Sequence, residues 1–192
     1  PGGHLVKFVT DMEAISSVRP LLGSLFGSIR NFERSLSIAQ SAVDAADPVT
    51  YGPYILAKER LGGGEAPNLM MPVSIFDSTV PPSTGKALAR AIGLPHLTPV
   101  AEAVEGLEVA DTPAKNNAAN WDVTIGYFQY DRVSKPNGEV ELSDHASTPK
   151  SPEGRLQVRH FLETILSGDA VEIIDPYAEL NTPALPPSIE DR

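Results

Sequence analysis

Two residues of this sequence stand where chemistry is done in α/β proteins. Asp77 follows an almost continuous apolar run, Leu69 to Phe76, and precedes the turn Ser78-Thr79-Val80-Pro81-Pro82. At the carboxyl end of a strand in a parallel sheet, ligands and reacting groups collect. His145 lies one element later, in a polar loop ahead of a helix. A carboxylate and an imidazole in such loops are the parts of a relay in which the acid fixes the orientation of the base. Each also has a plainer reading. An Asp at a strand end forms a turn or caps a helix, and a loop His is a solvated side chain. Asp144 also reads as a surface neighbour of His145.

No other group of residues competes with this pair. His4, His96 and His160 show no metal-ligand spacing, and His160 reads as surface or packing. Gly62-Gly63-Gly64 does not open a helix after a strand, so it is a loop tip and not a phosphate cradle. Asp44, Asp47 and Glu59 lack the alternating oxygen ligands of a calcium loop. Ser83-Thr84-Gly85-Lys86 has the elements of a phosphate loop in the wrong order. Trp121, Tyr127, Phe128 and Tyr130 read as core and sheet surface. No cofactor or metal site is expected.

The elements that must position the pair follow from periodicity. Ile15, Val18, Leu22, Leu25, Phe26 and Ile29 recur at helical spacing, broken at Pro20. A second helix is expected over 33–45, with Leu36, Ala39 and Val43 on one side, ending before Asp47-Pro48. The run Leu69–Phe76 suits a strand buried on both faces, with Pro72 as a mark against it. A helix over Ser83–Ile92 ends at Gly93, a C-cap. Val123–Tyr130 is a second strand, and Lys135-Pro136-Asn137-Gly138 is a polar turn. A helix from Ser151 to Leu166 has Ser151 as N-cap, Pro152 at its first position and a buried stripe of Val158, Phe161, Leu162 and Ile165. Val171–Ile174 adds a last short strand. Strands alternating with helices give an α/β class with a mostly parallel sheet. So few strands in 192 residues look like half of a larger sheet.

Composition excludes several classes. The net charge of -10 leaves no basic face for nucleic acid. With no cysteine there is no disulfide framework, thiol nucleophile or cysteine-bound zinc. No stretch approaches the roughly 20 apolar residues of a membrane span. The compartment stays open.

Three segments together resemble a known family. Phe76-Asp77-Ser78-Thr79-Val80-Pro81, continued by Thr84-Gly85-Lys86-Ala87-Leu88-Ala89-Arg90-Ala91-Ile92-Gly93-Leu94-Pro95, resembles the acid-bearing segment of α/β-hydrolases, most of all the large bacterial lipase- or esterase-like members. Phe76 stands where that pattern has glycine. Asp144-His145-Ala146-Ser147-Thr148-Pro149, with Ser151-Pro152-Glu153-Gly154, resembles the segment with the catalytic histidine. Asp47-Pro48-Val49-Thr50-Tyr51 resembles a stretch that precedes the acid strand. The resemblance spans roughly 1–178.

The resemblance implies Asp77 as the orienting acid and His145 as the general base. It predicts a serine nucleophile earlier in the chain, in a Gly-x-Ser-x-Gly elbow. No such string occurs, and the nearest, Gly23-Ser24-Leu25-Phe26-Gly27-Ser28, lacks the spacing and a preceding strand. The fold expected is therefore α/β, the carboxyl-terminal half of an α/β-hydrolase sheet with a helical cap or insertion. Residues 1–10 would be a strand-end segment following the missing elbow region, 11–60 the helical cap or insertion, 61–178 the core with both loops, and 179–192 a Pro-rich irregular tail. The expected function is an ester or lipid hydrolase site completed by a serine on another chain or segment. The alternative is a non-catalytic assembly subunit that keeps the fold. Both readings expect a protein partner.

Overall fold

The computed structural model describes residues 4–13, 17–57, 63–118 and 122–185. Pro1-Gly2-Gly3, Ile15, Glu59, Gly62, Trp121 and the tail beyond Leu185, all part of the sequence reading, lie outside the described residues.

The chain opens with helices α1 (Leu5–Asp11), α2 (Arg19–Leu25), α3 (Ile29–Val43) and α4 (Pro48–Ile55). Pro20 does not break a helix; it lies in the first turn of α2, where its missing N–H is no loss. The helix expected over 33–45 starts four residues earlier, because the Ser28 side chain accepts the Asn31 N–H as an N-cap. Asp47-Pro48 ends one helical run and starts α4, which was not expected from the pattern.

Asp47 ties α1, α3 and α4 together. It is buried. Its carboxylate accepts the His4 and Leu5 N–H groups at the head of α1, at 2.8 and 2.7 Å. It also accepts the Val49 N–H of α4 at 3.0 Å and the Gln40 amide of α3 at 2.9 Å. Burial works to raise its pKa, but these donors outweigh burial and hold it below the ordinary aspartate value.

The central sheet has the order β1 (Leu69–Ser74), β5 (Ile125–Tyr130), β2 (His96–Leu97), β3 (Val109–Ala110). All three pairings are parallel. The α/β class with a mostly parallel sheet is therefore what the chain forms. Strand β5 is buried at every position, as a central parallel strand requires. Helix α5 (Pro82–Ile92) crosses from β1 to β2 and ends at Gly93 in the left-handed region (φ 81°), the C-cap expected. Strands β2 and β3 are too short to leave a periodic signal. The last strand, β8 (Glu172–Ile173), does not join this sheet; it pairs antiparallel with β4 (Ala114–Lys115). The polar turn at 135–138 closes a hairpin of β6 (Arg132–Ser134) and β7 (Val140–Leu142).

Two cores lie on the two faces of β5. Phe128 and Tyr130 point into one with Phe161, Ile173 and Tyr177. Ile125 and Tyr127 point into the other with Ala89, Ile92 and Leu94 of α5 and its C-terminal turn. Strand β1 is an edge of the described sheet, and this accounts for Pro72. The Leu69 and Ile75 N–H groups bond to β5 and its flank, at the Thr124 and Tyr130 carbonyls. Even-numbered positions of β1 therefore turn their nitrogens away from β5, and the donor that Pro72 lacks falls on the open side.

Helix α6 (Pro152–Ser167) corrects one expectation. Ser151 caps it through the Gly154 N–H at 3.0 Å, and Pro152 takes the first position, as read from sequence. The expected buried stripe is mostly exposed. Phe161 is buried, but Val158 is 42% exposed, Leu162 51% and Ile165 40%. The inward face carries Glu153 and Gln157 instead. Gln157 accepts the Tyr130 hydroxyl and donates to the Ile174 carbonyl, both at 2.8 Å. Glu153 accepts from the Ser134 and Thr182 hydroxyls. A polar face is tolerated inside because every one of these groups finds a partner. Helix α7 (Pro176–Leu180) closes the fold.

Replacing Asp47 with alanine is expected to cost about 2–3 kcal/mol, from a lost helix cap and stranded N–H donors. Denaturant unfolding of the two chains measures it. The Asp47 pKa is lower folded than unfolded, where it is about 3.9. Its contribution should be complete above the unfolded value and disappear as pH falls through the folded one.

Candidate functional site

The parallel register sets Ser74, the last residue of β1, beside Tyr130, the last residue of β5. Both strands end at the same level, so the loops that follow them meet. After β1, the Asp77 Oδ1 accepts the Thr79 N–H at 2.8 Å and the Val80 N–H at 2.7 Å. This is the turn-forming role expected of an Asp at a strand end. It leaves the second oxygen available, and Oδ2 lies 2.9 Å from His145 Nδ1. Asp77 therefore forms the turn with one oxygen and meets the imidazole with the other. Its side chain is 10% exposed and that of His145 is 56% exposed.

The histidine loop is braced from several sides. The Ser143 hydroxyl donates to the Tyr130 carbonyl at 2.5 Å. The Asp144 Oδ1 accepts the Ala146 and Ser147 N–H groups, at 2.7 and 2.6 Å. In return, the Ser147 hydroxyl accepts the Asp144 N–H at 3.0 Å. The Ser147 backbone donor, then the other loop donors and the neighbouring His145, keep the Asp144 carboxyl below its ordinary pKa. Asp144 is thus a loop former. Gly154 explains the one weak point of α6: a Cβ there would overlap the Thr148 carbonyl oxygen. Only glycine lets the helix approach the histidine loop this closely.

With Nδ1 given to Asp77, the imidazole has Nε2 left, and no described residue hydrogen-bonds it. Asp77 as acceptor requires the proton on Nδ1 of a neutral ring, so Nε2 is the basic nitrogen. A cavity of about 410 Å³ adjoins the pair. It is lined by Met71, Val73 and Leu88 from one face of the sheet and by Tyr130, Thr148 and Val158 from the other. Residues of both faces can share one cavity only where it wraps the open edge of β1.

Three aliphatic hydroxyls line this cavity, and each is engaged. Thr84 donates to the Pro81 carbonyl at 2.9 Å. Ser74 donates to the Asp144 carbonyl at 3.2 Å and meets Thr148 at 2.7 Å. Ser24, in the string nearest to an elbow, lies in exposed helix α2 and donates to the Leu21 carbonyl. It is not at a strand end.

The other histidines play no part here. His160 pairs with Glu172 at 2.7 Å, and Glu172 also holds Lys115 at 2.9 Å, which fastens α6 to the β4–β8 pair. His96 is buried edge-on against Tyr127. No cluster of metal-ligating side chains occurs among the described residues. No helix among them is long and apolar enough to cross a membrane. The sequence reading missed the hydroxyls that brace the loops, Ser74, Ser143 and Thr148. Nothing in spacing marks them, because their partners are 13 to 74 residues away.

Comparison of the chain with protein-family models, with curated proteins and with solved structures finds no match.

Gly154→Ala is expected to destabilise the chain by about 1–3 kcal/mol, the range for overpacking. Thermal unfolding measures the loss. The displaced carbonyl at Thr148 should also move the His145 imidazole resonances; Gly168→Ala, which strains a left-handed C-cap at the opposite end of α6, should not.

Proposed function

We propose that the chain supplies the acid and general base of a serine ester hydrolase whose nucleophile lies on another chain or segment. The observation that carries this reading is the 2.9 Å contact of Asp77 Oδ2 with His145 Nδ1, across 68 residues of sequence, at the carboxyl ends of adjacent parallel strands. His145 would take the serine proton through Nε2 during attack on the ester carbonyl, and return it to the leaving alcohol. Water would then repeat the cycle on the acyl-enzyme. Asp77 would hold the tautomer and stabilise the imidazolium. The apolar cavity beside the pair is suited to an acyl chain, and the engaged state of Ser74, Thr84 and Thr148 favours a nucleophile from elsewhere. On this reading the sheet is the carboxyl-terminal half of an α/β-hydrolase sheet and helices α2–α4 belong to its cap or insertion.

Two features support a protein partner. Among the described residues strand β1 has an open edge, which in a free chain invites pairing with other strands. Beside it, α6 turns Val158, Leu162, Ile165 and Leu166 outward. Such a contiguous apolar face is characteristic of an interface.

A fluorophosphonate serine probe should label nothing in the isolated chain and should label a partner polypeptide in the purified assembly. A labelled serine within residues 1–192 would end the split-site reading. In the assembly, Asp77→Asn should lower kcat about 10⁴-fold and His145→Ala by a similar factor. Ester hydrolysis unchanged by both variants would favour the assembly-subunit reading. The isolated chain is expected to self-associate on size-exclusion chromatography, and a monodisperse monomer would count against the need for a partner.

A further inference from the structure

Asp77 and His145 sit on loops, and their alignment needs something stiffer than the loops themselves. Three residues before Asp77 stands Ser74, and three residues after His145 stands Thr148. Both are buried, each 8% exposed. Their hydroxyl oxygens are 2.7 Å apart. Ser74 also reaches the Asp144 carbonyl at 3.2 Å, the peptide that leads into His145. A serine has one hydroxyl proton. If that proton goes to the Asp144 carbonyl, Thr148 must donate to Ser74 Oγ, and each hydroxyl has one defined role. The Thr148 N–H closes the ring by donating to the same Asp144 carbonyl at 3.3 Å.

We infer that the buried Ser74–Thr148 hydroxyl pair is a clasp that positions His145 against Asp77. Ser74 and Thr148 are positioning residues: they act on the imidazole through the backbone of residues 144–148. The clasp joins the end of β1 directly to the histidine loop, and no other described side-chain bond links Ser74, Ile75 or Phe76 to residues 143–148. The remaining braces of that loop are local or run to the end of β5. Without the clasp, the two segments share only the Tyr130 carbonyl, which accepts the Ile75 N–H and the Ser143 hydroxyl, and the loops beyond that anchor can shift past each other. The Asp77–His145 contact, open to solvent on the imidazole side, would then have to hold the alignment by itself. This inference deepens the hydrolase reading and takes its importance from it, but its physical content is the geometry of the pair.

The test reads the imidazole itself. Nitrogen-15 NMR of the labelled chain, in the form in which it is purified, reports the tautomer of His145. The unaltered chain should hold the proton on Nδ1. Thr148→Val keeps the shape and removes the hydroxyl; it should release the ring to a mixture of tautomers. Thr148→Ser restores the hydroxyl and should restore the Nδ1–H form. Ser74→Ala is read in the same way, so a failure of one variant to fold leaves the other to decide. Retention of the Nδ1–H tautomer in a folded Thr148→Val or Ser74→Ala chain overturns the clasp. In an active assembly, Thr148→Val should lower kcat about 10²-fold with KM kept, the scale of a misplacement near 1 Å. The two ideas fail separately. A tautomer that depends on Thr148 in a chain with no nucleophile-bearing partner supports the clasp and ends the hydrolase reading. An active assembly indifferent to Thr148 does the reverse.

Discussion

The site rests on the pairing of β1 with β5. Strands Leu69–Ser74 and Ile125–Tyr130 run parallel over six residues and finish level, Ser74 against Tyr130. A parallel pair cannot be joined by a tight turn, so the chain between them must cross over through α5. That separates Asp77 and His145 by 68 residues yet leaves their loops starting side by side. A slip of one residue would turn every β5 side chain to the opposite core and move the two loops apart. The register is held by burial: Tyr127, Phe128 and Tyr130 are almost fully enclosed, and the β1 side chains Met70 and Met71 pack against opposite cores. Gly126 belongs to the same constraint, since a Cβ there would overlap Leu97.

Helix α6 shows that amphipathicity alone does not say which face turns inward. Its apolar residues Val158, Leu162, Ile165 and Leu166 face out, and its partnered polar residues Glu153 and Gln157 face in. The choice is made by Ser151, whose capping of Gly154 aims the first turn, and by Tyr130, whose buried hydroxyl needs an acceptor. Burial pushes the Tyr130 pKa upward, so it remains a neutral donor to Gln157. The outward apolar face and the open edge of β1 lie on the same side, where Val158 lines the cavity. Pro72 also faces this side. It removes one donor from the edge without preventing a strand from using the rest.

The helical segment obeys a different logic. Exposed apolar residues such as Leu21, Leu25 and Ile38 show that little of α2 and α3 is buried. Three of its four helices meet at one carboxylate. Asp47 gathers the N-termini of α1 and α4 and the side of α3, so a charged group placed at helix starts does work that burial does elsewhere.

The residues legible in the sequence were those whose signal is local. Strands β1 and β5 stood out because buried parallel strands are apolar at nearly every position, and α5 and α6 because Gly93 and Ser151 mark their ends. Asp77 and His145 were recognisable by their place after an apolar run and before a helix. What spacing could not carry was anything decided between distant segments. Strands of two residues, the antiparallel placement of β8, the outward turn of α6 and the hydroxyl clasp all depend on partners far along the chain. A pattern read along one segment records which faces differ in polarity; which of them is covered is settled by the groups that arrive opposite it. The sequence by itself determined an α/β chain with a carboxylate and an imidazole at element boundaries. Only the tertiary structure decided that the two touch, because their contact exists through the register of two strands and not through any neighbourhood in sequence.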